Sequence, residues 1–168
     1  MRWLGDVQRP DGSYTDPDHG RPFVFDTAQA LRGLLAGMAL VPEAEGAARK
    51  AADFLVASLE DGGTGGFARQ GGGDPAIPET IHLYALPPLL DAATTFARPA
   101  HAEAARRGAA YYERHEDALR PSTLTHFLAY ELDGLIDLGA AARAREVLNS
   151  LATNRRADGA VPARAGAT

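Results

Sequence analysis

Two histidines of this sequence stand near side chains with which they could do acid–base chemistry. Glu79 and His82 are spaced i, i+3, so their side chains share a face if a helix has already begun at Glu79. A carboxylate beside an imidazole can form an acid–base pair. His126 and Tyr130 are spaced i, i+4 at the start of a later apolar segment. We therefore take Glu79, His82 and His126 as candidate catalytic residues facing a common cavity.

Other polar residues stand at the start of the same apolar segments, and a third segment opens in the same way with Asp26 and Thr27. Such residues suit the hydroxyl groups of a sugar. The candidate ligand-binding residues are Asp26, Thr27, Gln29, Tyr84, Thr125 and Tyr130. The structural alternative is that Asp26 is a helix N-cap with Thr27 at the first helical position, since Asp is a strong N-cap. On that alternative the histidines are interior residues with satisfied hydrogen bonds.

Six helical segments are predicted, and they are of two kinds. Three are apolar on nearly every side, and a helix that is apolar all round is buried all round. These inner segments are 26–40, 79–93 and 123–138. The other three, 43–59, 101–117 and 140–155, carry one apolar stripe and are predicted to cover the inner ones. Val and Ile are scarce and no window alternates with period two, so the sequence predicts an all-α fold.

Two details of the inner segments carry further expectations. Arg32 interrupts the first apolar run, and we expect it beside a carboxylate such as Glu131 or Asp133. Pro87 and Pro88 lie within the second segment. Because proline removes a helical hydrogen bond and clashes with the preceding turn, a kink or break is predicted there.

Loops with related turn signals follow the outer segments. They read "VQRPDGSY", "LEDGGTGGF" and "TNRRADGAV", with Gly12, Gly66 and Gly159 as markers, and a degenerate copy lies near "HEDALRPS". A period of roughly fifty residues, with one inner and one outer helix per unit, indicates a repeat architecture. A solenoid and a closed toroid both fit this period.

The stretch "WLGDVQRPDGSY" resembles the QW-type repeat of terpenoid cyclases and prenyltransferase-like proteins, in which an aromatic residue, Gln8, Gly12 and a second aromatic residue recur. "FDTAQALRGLLAG", "ETIHLYALPPLLDA" and "LTHFLAYELDGLIDLG" are similar to inner helices of bacterial proteins of this α/α-toroid superfamily. The resemblance implies that inner helices ring a central cavity and that ligands bind near their N-terminal ends.

A full toroid of this kind has about twelve helices, whereas residues 1–168 supply about six. The resemblance therefore implies a single partial domain of three inner and outer pairs, half of an α6/α6 barrel. We expect a homodimer or a missing C-terminal half to complete the ring, or else a collapsed six-helix bundle.

The sequence leaves three functions open: a toroid that binds or processes a carbohydrate or polysaccharide precursor, a non-catalytic scaffold or degenerate half-toroid, and a terpenoid cyclase-like enzyme. The cyclase is disfavoured because the aspartate-rich acid motif is absent and aromatic residues are only 7% of the chain. A net charge of −5 gives no basic surface for nucleic acid. No apolar run is long enough to span a membrane, and there is no cysteine. We expect a cytoplasmic protein with a small-molecule or sugar ligand, no metal and no cofactor.

Overall fold

A computed structural model describes residues 2–15, 20–61, 63–71, 77–115 and 124–164. Within these ranges the chain is predominantly α-helical, as the sequence predicts. The α-helices are α1 (Arg2–Val7), α2 (Val24–Gly37), α3 (Ala44–Asp61), α4 (Pro87–Thr95), α5 (Pro99–Arg114), α6 (Thr125–Asp137) and α7 (Ala141–Thr153). A 3₁₀ helix spans Thr80–Ala85, and a short antiparallel pair joins β1 (Tyr14–Thr15) to β2 (Pro22–Phe23). None of the helices in these ranges is long and apolar enough to cross a bilayer.

The helices form three successive hairpins: α2 with α3, the 3₁₀ helix and α4 with α5, and α6 with α7. The core lies between the hairpins and is made of aliphatic side chains from both layers, among them Leu31, Leu34, Leu55, Leu86 and Leu89. Only the middle inner segment is buried nearly all round. Both α2 and α6 leave one side exposed, because the neighbouring hairpins cover only part of each helix. That side carries apolar residues as well as polar ones, among them Ala36, Phe127 and Ile136. The prediction that all three inner segments are buried all round was therefore wrong for these two helices.

The inner segments begin and break where local chemistry requires it. The segment predicted as one helix from Glu79 to Ala93 is a 3₁₀ helix followed by an α-helix with Pro87 in its first turn. The predicted break is confirmed, since proline fits the first turn of a helix but not its interior. The first inner helix begins at Val24, with Phe23 at the N-cap position. The prediction that Asp26 is the N-cap and Thr27 the first helical residue was therefore wrong.

All three predicted loops contain the same turn. In each, a side-chain oxygen accepts the backbone amide two residues later, and the glycine between them has a positive φ. These sets are Asp11–Gly12–Ser13 (3.0 Å, φ 89°), Thr64–Gly65–Gly66 (3.4 Å, φ 91°) and Asp158–Gly159–Ala160 (3.0 Å, φ 87°). The repeated glycine of the middle loop is therefore Gly65, one residue before the marker Gly66. The degenerate copy near "HEDALRPS" lies outside the described residues.

The loops after α3 and α7 each hold the N-terminal end of the inner helix in the same hairpin. After α3, the Gln70 Oε1 atom accepts the Val24 amide at 2.7 Å. After α7, the Ala163 carbonyl accepts the Thr125 amide at 2.9 Å. These bonds satisfy amides that a helix leaves without an internal partner. The long-range contacts of the loops thus set where the inner helices begin.

Gln8, the glutamine of the QW-like stretch, has a structural role. Its Nε2 atom donates to the Gly12 carbonyl at 3.0 Å and to the Ala47 carbonyl at 2.8 Å. The first bond closes the turn and the second ties it to α3. A side chain at Gly12 would collide with the Lys50 carbonyl, so only glycine fits this close approach.

Candidate functional site

Glu79 and His82 form the contact that their spacing predicts. The His82 Nε2 atom lies 3.2 Å from the Glu79 Oε2 atom. The same carboxylate also accepts two backbone amides, from Gln70 at 2.5 Å and from Gly71 at 2.7 Å. Both oxygens of Glu79 are therefore held in hydrogen bonds that join the 3₁₀ helix to the loop after α3.

These bonds set the protonation state of Glu79. Burial alone raises its pKa, but the His82 hydrogen bond, the two amides and the His82 charge together lower it to about 2. Glu79 is consequently ionised at neutral pH and is a weak base. This state suits a group that orients other groups better than one that transfers protons.

His82 is enclosed by the protein. Its side chain is only 1% exposed, and the Phe67 ring meets it edge-on with centroids 5.5 Å apart. Within the described ranges its second ring nitrogen, Nδ1, has no hydrogen-bond partner. In this conformation no substrate can reach the imidazole from solvent.

A second buried pair joins the 3₁₀ helix to α6. The Thr80 hydroxyl donates to Glu131 Oε1, while Oε2 has no partner in the described part of the chain. Burial raises the pKa of Glu131 to about 7, although the Thr80 hydrogen bond lowers it. Sequence reasoning missed Glu131 as a site residue. The available signal was its place three residues after Leu128 and four before Leu135, on the buried stripe of the helix.

We refer to Gln70, Glu79, Thr80, His82 and Glu131 as the helix-end network. Two further predicted ligand-binding residues have a similar structural role. Thr27 is fully buried, accepts the Tyr14 amide at 3.0 Å and donates to the Phe23 carbonyl at 2.7 Å. Thr125 donates to the Pro162 carbonyl at 2.5 Å. The Thr27 hydroxyl is therefore not accessible to a ligand, and the Thr125 hydroxyl has its proton in a hydrogen bond to the backbone.

Asp26 lies in the first turn of α2 rather than at its cap, and it is partly buried. A carboxylate in the first helical turn interacts favourably with the helix dipole. Thr27, at the next position, points into the core, so the expected pair of rim residues is divided between two environments.

Three aromatic rings from three inner segments meet on the other side of α2. The ring centroids of Phe25 and Tyr130 are 4.8 Å apart, those of Tyr84 and Tyr130 are 5.3 Å apart, and those of Phe25 and Tyr84 are 5.4 Å apart. The structure thus brings together Tyr84 and Tyr130, both predicted as ligand-binding residues. Edge-on and tilted contacts of this kind are favourable for aromatic rings.

Two turns further along, Arg32 joins α2 to α6. Its guanidinium pairs with Asp137 at 2.8 Å and lies 4.4 Å from the Tyr84 ring centroid. The expected carboxylate partner is confirmed, but it is Asp137 and neither of the two residues suggested, Glu131 or Asp133. Asp137 takes that place because it is seven residues after Tyr130, just as Arg32 is seven residues after Phe25, and residues seven apart lie on the same side of a helix.

Between the ring contact and the ion pair lie Gln29 and Asp133. Helical spacing places each on the same side as its neighbours, and both residues are exposed. Neither side chain forms a hydrogen bond within the described ranges. We call this surface the inner face; it comprises Phe25, Gln29, Arg32, Tyr84, His126, Tyr130, Asp133 and Asp137.

His126 is exposed one turn before Tyr130, and its ring contacts Phe127 with centroids 4.4 Å apart. In the described part of the chain no hydrogen bond or ring contact joins His126 to Glu79 or His82. The structure brings Glu79 and His82 together but leaves His126 outside their cluster. A common cavity for all three stays a prediction.

The described residues contain no group of three or more His, Asp or Glu side chains able to hold a metal ion. Comparison with protein families, with curated proteins and with solved structures finds no match for this chain.

Proposed function

We propose that this chain is a helical-hairpin repeat domain that binds a neutral, hydroxyl-rich ligand of carbohydrate type on its inner face. The observation that carries the proposal is the meeting of Phe25, Tyr84 and Tyr130 beside exposed Gln29 and Asp133. Binding sites for small molecules combine apolar and aromatic surface with a few polar groups that fix orientation. A sugar ring offers an apolar face for the partly exposed rings of Phe25 and Tyr130, which the buried Tyr84 ring supports from behind. Its hydroxyls can bond the Gln29 amide and the Asp133 carboxylate.

The charges of the inner face favour a neutral ligand. Arg32 is already paired with Asp137, so its charge is largely compensated. Asp133 is exposed and would repel an anionic sugar. We therefore expect neutral disaccharides to bind better than uronic acids.

Binding is a better proposal than catalysis on these residues. Glu79 has both oxygens occupied and a pKa of about 2, and His82 is enclosed. A terpenoid cyclase-like reaction has less support still. Its carbocation would require free aromatic faces, whereas the Arg32 guanidinium stands 4.4 Å from the Tyr84 ring centroid.

A non-catalytic scaffold is the second candidate. It is favoured by the contacts that bridge α2 and α6 directly, since the Phe25 ring meets the Tyr130 ring and one Arg32 nitrogen pairs with Asp137 without a ligand. The Arg32 Nε and Nη2 atoms have no hydrogen-bond partner in the described part of the chain. On that account the inner face is a packing seam. The two candidates differ in one outcome, which is whether a sugar binds there.

The test is a saturation-transfer NMR titration with cellobiose, maltose and glucuronic acid. We expect a neutral disaccharide to bind and Tyr130→Ala to weaken it about two- to tenfold, the range for one aromatic contact. Leu40→Ala is the control, because Leu40 is an apolar residue 86% exposed after the end of α2 and does not belong to the inner face. Absence of binding to all three sugars would favour the scaffold.

A second copy that completes the ring stays a prediction. It is supported by exposed apolar side chains in the first and last helices, Trp3 on α1 and Leu148 on α7. Light scattering at micromolar concentration checks it. A dimer is the expected mass, and a strictly monomeric mass would reject the two-chain ring.

A further inference from the structure

A cavity separate from the inner face lies where α1 meets α2 and the start of α3. Its volume is about 270 Å³. Leu34, Val41 and Ala47 supply apolar lining, Gly5 contributes backbone, and Asp6 and Glu43 bring two carboxylates to it. Leu34 lies two residues after Arg32, and this spacing turns it to the opposite side of α2 from the inner face.

In the described part of the chain no cationic side chain pairs with either of the two carboxylates. Within the described ranges neither Asp6 nor Glu43 forms a hydrogen bond or an ion pair, and both residues are exposed. None of the described residues that line the cavity is a lysine or an arginine. The described lining of the pocket is therefore apolar apart from two carboxylates, which give it a net negative charge.

The backbone amides at the nearby start of α3 could attract an anion, but two of them are already hydrogen-bonded. The Ala44 amide donates to the Val41 carbonyl at 3.0 Å, and the Glu45 amide donates to the Pro42 carbonyl at 3.1 Å. These two amides of the first turn are therefore occupied. The local charge that a ligand meets is set by Asp6 and Glu43.

We propose that this pocket binds a short-chain alkylammonium compound, with the alkyl chain against Val41 and Ala47, in front of the buried Leu34, and the ammonium group beside Asp6 and Glu43. The charge complementarity selects a cation, and the apolar lining selects an alkyl chain over a bare inorganic ion. The cavity volume of about 270 Å³ lies just below the range of small-molecule sites, about 300–1,000 Å³, and so favours a short chain.

The first test compares n-pentylamine with 1-pentanol, which has the same chain without the charge, by titration of the ¹⁵N-labelled protein. We expect the amine to shift the amides of Gly5 and Ala47 and to bind at least about threefold more tightly than the alcohol, because it gains two ion pairs of modest strength. Equal binding of the two compounds, or no binding of the amine at millimolar concentration, would overturn the proposal.

A second test fills the pocket. A Cβ atom at Gly5 meets no other atom within 4 Å, so Gly5→Leu adds a side chain at the pocket without a clash at its first carbon. We expect this variant to lose amine binding. The control is Gly46→Leu, whose Cβ is equally unobstructed but which does not line the pocket. Undiminished binding by Gly5→Leu would show that the amine binds elsewhere.

A third test removes the charges one at a time. Asp6→Asn and Glu43→Gln should each weaken n-pentylamine binding by roughly two- to fivefold and leave 1-pentanol unchanged. Glu103→Gln, at an exposed position on α5, is the control for a change in net charge. If all three variants weaken the amine equally, the effect is one of overall charge and the site assignment is wrong.

Discussion

The helix-end network and the inner face are built from the same kinds of side chain, yet they differ in where their hydrogen bonds end. In the helix-end network the Glu79 carboxylate takes two backbone amides and an imidazole, and it fixes a loop to a helix. On the inner face Gln29 and Asp133 are exposed and make no hydrogen bond in the described part of the chain. The polar groups of the helix-end network therefore stabilise the fold, whereas two polar side chains of the inner face stay accessible to solvent.

The difference teaches that polar residue types at a helix start do not by themselves mark a ligand site. Buried polar groups are nearly always satisfied, so a carboxylate near a loop is first a partner for the loop's amides. The exposed residues without partners, together with partly exposed aromatic rings, are the better indication of a binding surface. Substitutions in the helix-end network should accordingly lower the stability of the fold, and substitutions on the inner face should lower the affinity for a ligand.

Glu79→Ala should have the largest effect on stability. It leaves the Gln70 and Gly71 amides and the His82 imidazole without their partner, which costs about 2–4 kcal/mol of unfolding free energy. Chemical denaturation measures this loss. The control, Glu103→Ala on the exposed side of α5, should change the value by less than about 0.5 kcal/mol. Equal effects of the two variants would contradict the assigned role of Glu79.

The pH dependence of stability should reveal Glu131. Because its folded-state pKa of about 7 exceeds the ordinary value of 4.5, the fold favours the protonated carboxyl. Stability from this group is complete below pH 4.5, declines as the pH rises to 7 and is constant above that, with a total change of up to about 3 kcal/mol. Glu79 acts in the opposite sense: its pKa of about 2 means that its contribution is lost as the pH falls from 4.5 towards 2.

Urea unfolding between pH 4.5 and 8 checks the Glu131 prediction. Glu131→Gln keeps an acceptor for the Thr80 hydroxyl but cannot ionise. We expect the variant to lose the decline between pH 4.5 and 7. A decline of the same size in wild type and variant would show that another group causes it.

Replacing two glycines with alanine should change the free energy of unfolding in opposite directions. A Cβ atom at Gly134 on α6 would lie 2.7 Å from the Leu83 carbonyl carbon, so Gly134→Ala should push α6 from the 3₁₀ helix and destabilise the protein by about 1–3 kcal/mol. A Cβ at Gly33 meets nothing within 4 Å, and Gly33→Ala should stabilise α2 by about 0.5–1 kcal/mol. Thermal unfolding of both variants measures the pair. If Gly134→Ala also stabilises the protein, α6 does not approach the 3₁₀ helix as closely as described.

Much of the fold could be predicted from local signals. Apolar periodicity located six of the helices, the two prolines located the break before α4, and the Asp-Gly and Gly-Gly pairs located the repeated turns. The start of α2 was missed because its amide is capped from a distance: Gln70 is 46 residues away, and no local pattern reveals that bond.

The candidate site was less predictable, for the same reason. The contact of Glu79 with His82 is local and was expected, whereas the amides that occupy Glu79 come from a loop whose path depends on tertiary packing. Thr27 and Thr125 were predicted to bind a ligand because the sequence does not reveal their distant backbone partners. These are the Tyr14 amide for Thr27 and the Pro162 carbonyl for Thr125. The meeting of Phe25 with Tyr130 joins residues of the first and third hairpins, and their separation in sequence hides it.

The most direct test measures disaccharide binding and unfolding free energy on two variants. One is the double variant Gln29→Ala with Asp133→Ala on the inner face, and the other is Glu79→Gln in the helix-end network. The account predicts that the inner-face double variant binds about tenfold more weakly, through the loss of two hydrogen-bonding groups, with stability changed by less than about 0.5 kcal/mol. Glu79→Gln should lose stability and retain wild-type affinity under conditions where it is folded. The reverse outcome, in which Glu79→Gln abolishes binding while the double variant binds normally, would contradict the separation of the two regions.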